Sequence, residues 1–158
     1  MYKARLPKPR MLALAPALAA AVALFTFSGV PASAETRDTG RYLIHYNALP
    51  TDVLDAKVAG SYGIKRSRER GLLNVAVREK VEGEPAGRAA AANVSAQWTN
   101  LSGQMGTIPI RQIREQGAIY YIGEFAIRDQ EMLTFTLQVN PDGTPPQTIS
   151  FRKQFIVD

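Results

Sequence analysis

The chain has 158 residues, a length typical of one domain, with 46% hydrophobic residues, 21% charged residues and a net charge of +5. It contains no cysteine and one histidine. This composition excludes a disordered chain, a disulfide scaffold, a thiolate zinc site and a cysteine nucleophile.

The first 34 residues have the pattern of a secretory signal peptide. Four positive charges before position 11 precede an uncharged stretch over 11–30 and the small-residue sequence Ala32-Ser33-Ala34. We therefore expect cleavage after Ala34 and export to the periplasm, which leaves a single domain over 35–158. The alternative is a retained membrane anchor, because 11–30 is long enough to span a bilayer as a helix. Pro16 and the polar end of this stretch favour cleavage.

Cleavage removes the basis for a nucleic-acid-binding interpretation. Four of the 19 basic residues and none of the 14 acidic residues lie in the leader, so the mature chain carries a charge of +1. So small a net charge is not the basic footprint of a protein that binds nucleic acid. We expect no nucleic-acid partner and no membrane span after cleavage, and the sequence leaves the oligomeric state open.

Alternation of apolar and polar residues with a period of two dominates the mature chain and predicts about seven strands. The expected strands lie at 42–47, 73–77, 92–99, 108–110, 118–125, 133–139 and 149–155. A period of four within 50–62 predicts one short helix, capped by Thr51 or Asp52 and ended by Gly60 or Gly63. The glutamate-, glycine- and proline-rich segment 81–87 is expected to be a turn.

These elements predict an all-β fold, an immunoglobulin-like antiparallel β-sandwich, with a small antiparallel barrel as the alternative. Pro109 predicts an edge position, because proline cannot donate to a ladder. The strand at 118–125 is apolar on both faces, so we expect it to be central or covered by the helix. The predicted core contains Val75, Val94, Trp98, Leu133, Phe135, Leu137 and Phe151.

His45 is the candidate metal ligand, since it is the only histidine. Together with Met105 or Met132 it would supply a histidine and methionine ligand set that suits copper. A copper-handling module is therefore the alternative function. No His-x-His or Met-x-Met cluster accompanies it, and the competing interpretation is a strand histidine whose ring bonds to backbone or water.

The sequence predicts no catalytic residues and no cofactor. It has no Gly-x-Ser-x-Gly nucleophile motif. Glu79, Glu82 and Glu84 cluster on the predicted turn, a pattern typical of solvated charge. We expect the protein not to be an enzyme, with a carboxylate-based hydrolase as a remote alternative.

The candidate partner-binding residues form a basic segment. It comprises Lys65, Arg66, Arg68 and Arg70, with Tyr62 just before them. Such a cluster can receive anionic groups, for example phosphates or carboxylates. The competing interpretation is a solvated loop that leads into a strand.

Two tyrosines of the first predicted strand, Tyr42 and Tyr46, share one face because of the alternation. Core packing with the hydroxyl groups at the rim explains them. An aromatic binding surface is the competing interpretation.

Several short motifs carry a resemblance to a known family. They are Gly40-x-Tyr42-x-Ile44-His45-Tyr46, Tyr62-Gly63-Ile64-x-Arg66-Ser67, Gly71-x-Leu73-Asn74-Val75 and Ala118-Ile119-Tyr120-Tyr121. In this order they resemble the domain of unknown function numbered 4426, a family of small exported proteobacterial proteins. The resemblance covers about 38–155. It implies a bacterial periplasmic protein and brings no catalytic residues with it.

The sequence as a whole favours a non-enzymatic exported protein that binds an envelope protein or glycan. The contact would be an exposed sheet edge or the basic segment.

Overall fold

The computed structural model of the chain describes residues 34–115 and 117–157. The predicted leader over 1–34 therefore lies outside the described residues, apart from Ala34 at its end. None of the described helices is long and apolar enough to cross a membrane.

Ten strands, one 3-10 turn and one α-helix make up the described part of the chain. The strands are β1 (Glu35–Asp38), β2 (Tyr42–Pro50), β3 (Arg70–Val81), β4 (Glu84–Ala89), β5 (Ala92–Asn100), β6 (Met105–Ile108), β7 (Arg111–Glu115), β8 (Ala118–Ala126), β9 (Glu131–Pro141) and β10 (Gln147–Phe155). The 3-10 turn covers Thr51–Val53 and the helix α1 covers Ala56–Ser61.

The strands form two antiparallel sheets. The six-stranded sheet has the order β1-β2-β3-β8-β7, and β4 also pairs with β3; the four-stranded sheet has the order β10-β9-β5-β6. The predicted all-β sandwich with one short helix is confirmed. The helix sits outside the sandwich, against the six-stranded sheet, where it covers part of one face.

The structure has ten strands where about seven were expected, and β1, β4 and β7 are the unexpected ones. The strand expected at 108–110 is wrong in its bounds, because only Ile108 of it belongs to a strand, the end of β6. Every residue of β1 is exposed, and β4 and β7 are mostly exposed as well. A strand without a buried face has no apolar alternation, so the pattern that revealed the other strands is missing here. The segment predicted as a turn over 81–87 is a hairpin, with the turn at 82–83 and β4 after it.

The main core lies between the two sheets. Of the seven predicted core residues, Val75, Leu133, Phe135, Leu137 and Phe151 are buried, while Val94 and Trp98 are partly buried and pack against them. Phe135 is central, with its ring stacked on that of Phe151 at a centroid distance of 4.9 Å and edge-on to that of Phe125 at 5.0 Å. The core prediction is therefore confirmed for five residues, and Val94 and Trp98 lie at the margin of the core.

A second, smaller cluster explains why β8 is apolar on both faces. Leu54, Ala59 and Ile64 from the helical region cover Leu72 of β3 and Ile122 of β8 on the outer face of the six-stranded sheet. β8 lies between β3 and β7. Both parts of the expectation for 118–125 are confirmed.

The ends of α1 follow from local hydrogen bonding. Asp55 caps the start, because its carboxylate accepts from the backbone N–H groups of Lys57 and Val58 at 2.8 and 3.2 Å. The predicted cap at Thr51 or Asp52 is wrong, since these residues form a separate 3-10 turn. Gly63 follows the helix with a φ of +62°, which confirms it as the helix end.

Two further expectations concern Pro109 and the tyrosines. Pro109 lies between β6 and β7, where the chain passes from the edge of one sheet to the edge of the other. Tyr42 and Tyr46 are buried in the main core. The Tyr42 hydroxyl donates to the Asp142 carbonyl at 3.0 Å. Core packing with hydroxyl groups at the rim is therefore the interpretation that the structure supports.

Candidate functional site

Most of the basic segment is a loop held in place by hydrogen bonds, and Arg70 is the first residue of β3. Thr51 is fully buried. Its hydroxyl donates to the carbonyl oxygens of Lys65 and Ser67, at 2.9 and 3.1 Å. The same oxygen accepts from the Ser67 backbone N–H at 2.9 Å. One buried hydroxyl thus ties the loop to the 3-10 turn, so the basic side chains extend from a defined backbone.

Three arginines of the basic segment contact acidic residues or carbonyl groups of the chain. Arg66 donates to the Asp52 carbonyl at 2.7 Å. The Arg68 Nε lies 3.9 Å from Asp52 Oδ2, and the Arg70 Nε lies 3.6 Å from Glu124 Oε2. The Arg68 and Arg70 side chains remain 70% and 43% exposed. Exposed pairs of this kind contribute little to stability.

A groove of about 300 Å³ adjoins the basic segment. Its lining residues are Arg70, Pro109, Arg111, Ile122, Gly123 and Glu124. Of the predicted binding residues, only Arg70 contributes to it. Sequence reasoning missed Arg111, which reaches the groove because β7 pairs with β8 and sets Arg111 opposite Ile122.

Tyr62 lies beside the groove and is held at both ends by β7. Its hydroxyl donates to the Glu115 carboxylate, and its carbonyl accepts from Arg111. The bond to Glu115, together with burial, raises the pKa of Tyr62 to about 12. Tyr62 therefore fixes the end of α1 onto the sheet and stays protonated at neutral pH.

His45 lies on the outer face of the six-stranded sheet, because its neighbours Ile44 and Tyr46 point into the core. Its Nδ1 is hydrogen-bonded to the Thr36 hydroxyl at 2.9 Å. Burial, and secondarily the charge of Arg78, lowers the pKa of the imidazole below its ordinary value. The ring is therefore neutral at neutral pH.

The structure does not bring His45 together with the methionines proposed to complete a copper site. Met105 is 65% exposed in β6, and Met132 alternates with the buried Leu133 in β9, so both belong to the four-stranded sheet. His45 is on the outer face of the opposite sheet. Across 34–115 and 117–157, no three side chains of histidine, cysteine, aspartate or glutamate form a group that could hold a metal ion.

The acidic residues considered for hydrolysis lie at the β3–β4 hairpin. The Glu79 carboxylate pairs with Arg41 at 2.8 Å, and Glu84 pairs with Arg88. Neither lines the groove. These carboxylates therefore have arginine partners at an exposed sheet edge.

The family profile described as Domain of unknown function (DUF4426) matches residues 36–158. The chain belongs to the DUF4426 family. A crystal structure of a DUF4426 family protein from Pseudomonas aeruginosa PAO1 is 32% identical to it, covers 79% of this chain and 96% of its own, and superposes with a TM-score of 0.67. No curated protein matched the chain.

Two solved structures of FetP from uropathogenic Escherichia coli strain F11 share the fold of this DUF4426 protein. FetP as isolated is 16% identical, covering 78% of this chain and 93% of its own, with a TM-score of 0.52. A copper-bound FetP variant is 15% identical, covering 78% and 95%, with a TM-score of 0.53. At this identity the likeness concerns the fold alone.

Proposed function

We propose that this DUF4426 protein is an exported, non-enzymatic binding module of the bacterial envelope, which holds carboxylate groups of a cell-wall glycan in the groove between Arg70 and Arg111. The observation that carries the proposal is the presence of two guanidinium groups on one groove with one carboxylate, Glu124, among its lining residues. Guanidinium groups match carboxylates geometrically, since two parallel N–H donors can meet two oxygens.

Arg70 and Arg111 have N–H donors that are not used in strong internal hydrogen bonds. The Arg70 to Glu124 separation of 3.6 Å exceeds the about 2.7–2.9 Å of a strong charge-assisted hydrogen bond. The Arg111 guanidinium uses a donor on the Tyr62 carbonyl, whereas the group has about five N–H donors in all. Each arginine can therefore bind a ligand carboxylate without breaking a strong internal pair.

The basic segment extends the same positive surface beyond the groove. Lys65, Arg66 and Arg68 extend from a loop that buried Thr51 holds in place. A loop that is already ordered loses less conformational freedom on binding. The predicted leader supports export, because it would deliver the mature chain to the compartment that contains the cell wall.

Co-sedimentation with purified peptidoglycan sacculi tests the proposal. The mature chain 35–158 is mixed with sacculi over a series of salt concentrations, and the bound fraction is measured. We expect binding that weakens with salt, because exposed charges are screened over about 8 Å at physiological ionic strength. The double variant Arg70→Gln/Arg111→Gln should bind several-fold more weakly.

The matched control is Arg37→Gln/Arg152→Gln, which removes the same charge from β1 and β10. It should bind like the unmodified chain. An equal loss in both double variants would indicate non-specific attraction, and absence of binding by the unmodified chain would refute the proposal.

Copper handling is the second candidate function, and the copper-bound FetP variant with the same fold is the observation that favours it. The test is a copper titration of the mature chain and of His45→Ala. Saturable binding of one copper ion that disappears in the variant would support this candidate. Unchanged binding in His45→Ala would exclude the one histidine as the ligand.

A further inference from the structure

One end of β8 has no neighbouring strand on the side of β7. The pairing of β7 with β8 begins at Arg111, which lies opposite Ile122. β8 continues to Ala126 and stays paired with β3 on its other side over this length. Among the described residues, therefore, no strand lies beside 123–126 on the β7 side. We call this part of the strand the β8 edge.

The chain that leads into β7 passes beneath the β8 edge and not along it. A Cβ atom at Gly123 would overlap Ile108 and come too close to the carbonyl oxygen of Pro109. Gly123 shares the inner face of the sheet with Phe125, two residues away, which is part of the main core. The connection from β6 to β7 therefore crosses on the inner side, and it does not pair with the β8 edge.

One hydrogen bond shows which backbone groups the β8 edge presents. The Ile127 N–H donates to the carbonyl group of Glu69, just before β3, at 3.0 Å. Successive residues of an antiparallel strand direct their backbone groups to opposite sides, so Ala126 and Glu124 point theirs away from β3. Ala126 is exposed. The N–H and C=O groups of both residues thus point to the side on which another strand could pair.

Two arginine side chains flank the β8 edge on the outer face of the sheet. Arg70 lies opposite Ala126, and Arg111 lies opposite Ile122, which packs under the helical region on this face. Arg111 is exposed, and the Arg70 side chain is 43% exposed. The unpaired backbone groups therefore lie beside the same guanidinium groups that line the groove.

The position of β7 decides which end of a ligand meets Arg111. A strand added beside 123–126 is collinear with β7 and meets its first residue, so it cannot continue along β8. In antiparallel pairing with β8, the commoner arrangement, the added strand runs in the direction of β7 and brings its C-terminal end to Arg111. A free carboxylate there gains guanidinium N–H donors. In the parallel arrangement a positively charged N-terminus would meet Arg111 and be repelled.

We propose that the β8 edge binds the C-terminal end of a peptide branch of the cell wall by antiparallel strand addition, with the terminal carboxylate at Arg111. Main-chain hydrogen bonds supply affinity when a peptide adds to a free sheet edge. The inference rests on the proposed function, whose arginines it uses. It narrows the ligand from any wall carboxylate to one at the end of a peptide chain.

Other carboxylate ligands use only part of this arrangement. A carboxylate on a sugar ring can reach the arginines, but it offers no row of amides to Glu124 and Ala126. A segment from the middle of a peptide chain offers the amides, but it would run into β7 at Arg111. The end of a peptide chain satisfies the backbone groups and the guanidinium group together.

The test is an NMR titration of the ¹⁵N-labelled mature chain with diacetyl-L-lysyl-D-alanyl-D-alanine, whose only charge is its carboxylate. We expect saturable binding below about 10 mM. The amide protons of Glu124 and Ala126 should shift downfield, because they acquire hydrogen-bond acceptors. The C-terminal amide of the same peptide should bind several-fold more weakly, which tests the carboxylate without any change to the protein.

Ala126→Pro tests the strand pairing. It removes an N–H group that is not bonded to β3, and an edge position tolerates proline. The variant should bind the peptide several-fold more weakly while both arginines remain. The matched control is Thr36→Pro on the opposite edge of the same sheet. The Thr39 N–H donates to the Tyr42 carbonyl, so the Thr36 N–H likewise points away from its partner strand, and this variant should bind the peptide normally.

The outcomes separate this inference from the proposed function. Equal affinity for the amidated peptide, or unchanged peptide affinity in Ala126→Pro, would overturn strand addition. If sacculus binding were lost in Arg70→Gln/Arg111→Gln but unchanged in Ala126→Pro, the carboxylate groove would stand and the inference would fall. Binding confined to the corresponding peptide with two L-alanines would assign the edge to the C-terminus of a protein and would also overturn the inference.

Discussion

Gly71 of β3 lies directly opposite Phe125 of β8, and the Phe125 ring covers it so closely that a Cβ atom at position 71 would overlap the ring. Phe125 cannot move away freely, because its ring packs edge-on against Phe135. We expect Gly71→Ala to lower the free energy of unfolding by about 1–3 kcal/mol, the usual cost of overpacking a core. Denaturant unfolding followed by Trp98 fluorescence measures this.

Gly60 provides the control for this prediction. It lies within α1, and a Cβ atom there would meet nothing within 4 Å. Gly60→Ala should stabilise the chain by up to about 1 kcal/mol, because alanine is the better helix former. If both variants were equally destabilised, the close packing of Phe125 on Gly71 would not be the cause.

Phe135 is the centre of the main core. It is fully buried and contacts the rings of Phe125, Phe151 and Phe155. Phe135→Ala should cost about 3–5 kcal/mol, a large part of the about 5–15 kcal/mol that stabilises a domain. Thr136→Ala, one residue further on the outer face, should cost less than about 1 kcal/mol. A small effect at Phe135 would contradict the register of β9.

The strands that could be predicted are those with one buried face. In β9, Leu133, Phe135 and Leu137 alternate with threonine and glutamine because one side of the strand meets the other sheet. The edge strands β1 and β7 have no such constraint. These two segments become strands because they pair with β2 and β8, and such pairing is not visible in the local sequence.

The same distinction applies to the candidate sites. Tyr62 and Arg70 are close in the sequence, so a local pattern is enough to group them. Arg111 joins Arg70 only through the pairing of β7 with β8 and of β8 with β3. The composition of the groove therefore follows from strand register, which a local pattern does not specify.

The leader prediction can be checked on the protein isolated from the periplasm. The predicted cleavage after Ala34 makes Glu35 the first residue of the mature chain, and Glu35 is also the first residue of β1. Cleavage would thus leave the whole strand intact, with Glu35 opposite Tyr46. Intact-mass spectrometry should find a chain that begins at Glu35. A full-length chain confined to the membrane fraction would show instead that residues 11–30 are an anchor.

Stability should fall as the pH falls through the titration range of His45, the one histidine of the chain. Burial and the charge of Arg78 place its folded-state pKa below the ordinary value of 6.5, so the unfolded chain takes up a proton first. The stability that neutral His45 contributes is fully present above pH 6.5 and is lost as the pH decreases toward the folded-state pKa. Asp38 and Glu84 have lowered pKa values and respond only in more acidic solution. Denaturant unfolding of the unmodified chain and of His45→Gln between about pH 7.5 and 5.5 measures the effect. We expect the free energy of unfolding of the unmodified chain to decline as the pH falls, and that of the variant to change less. Parallel pH profiles would show that His45 is as well solvated in the folded chain as in the unfolded one.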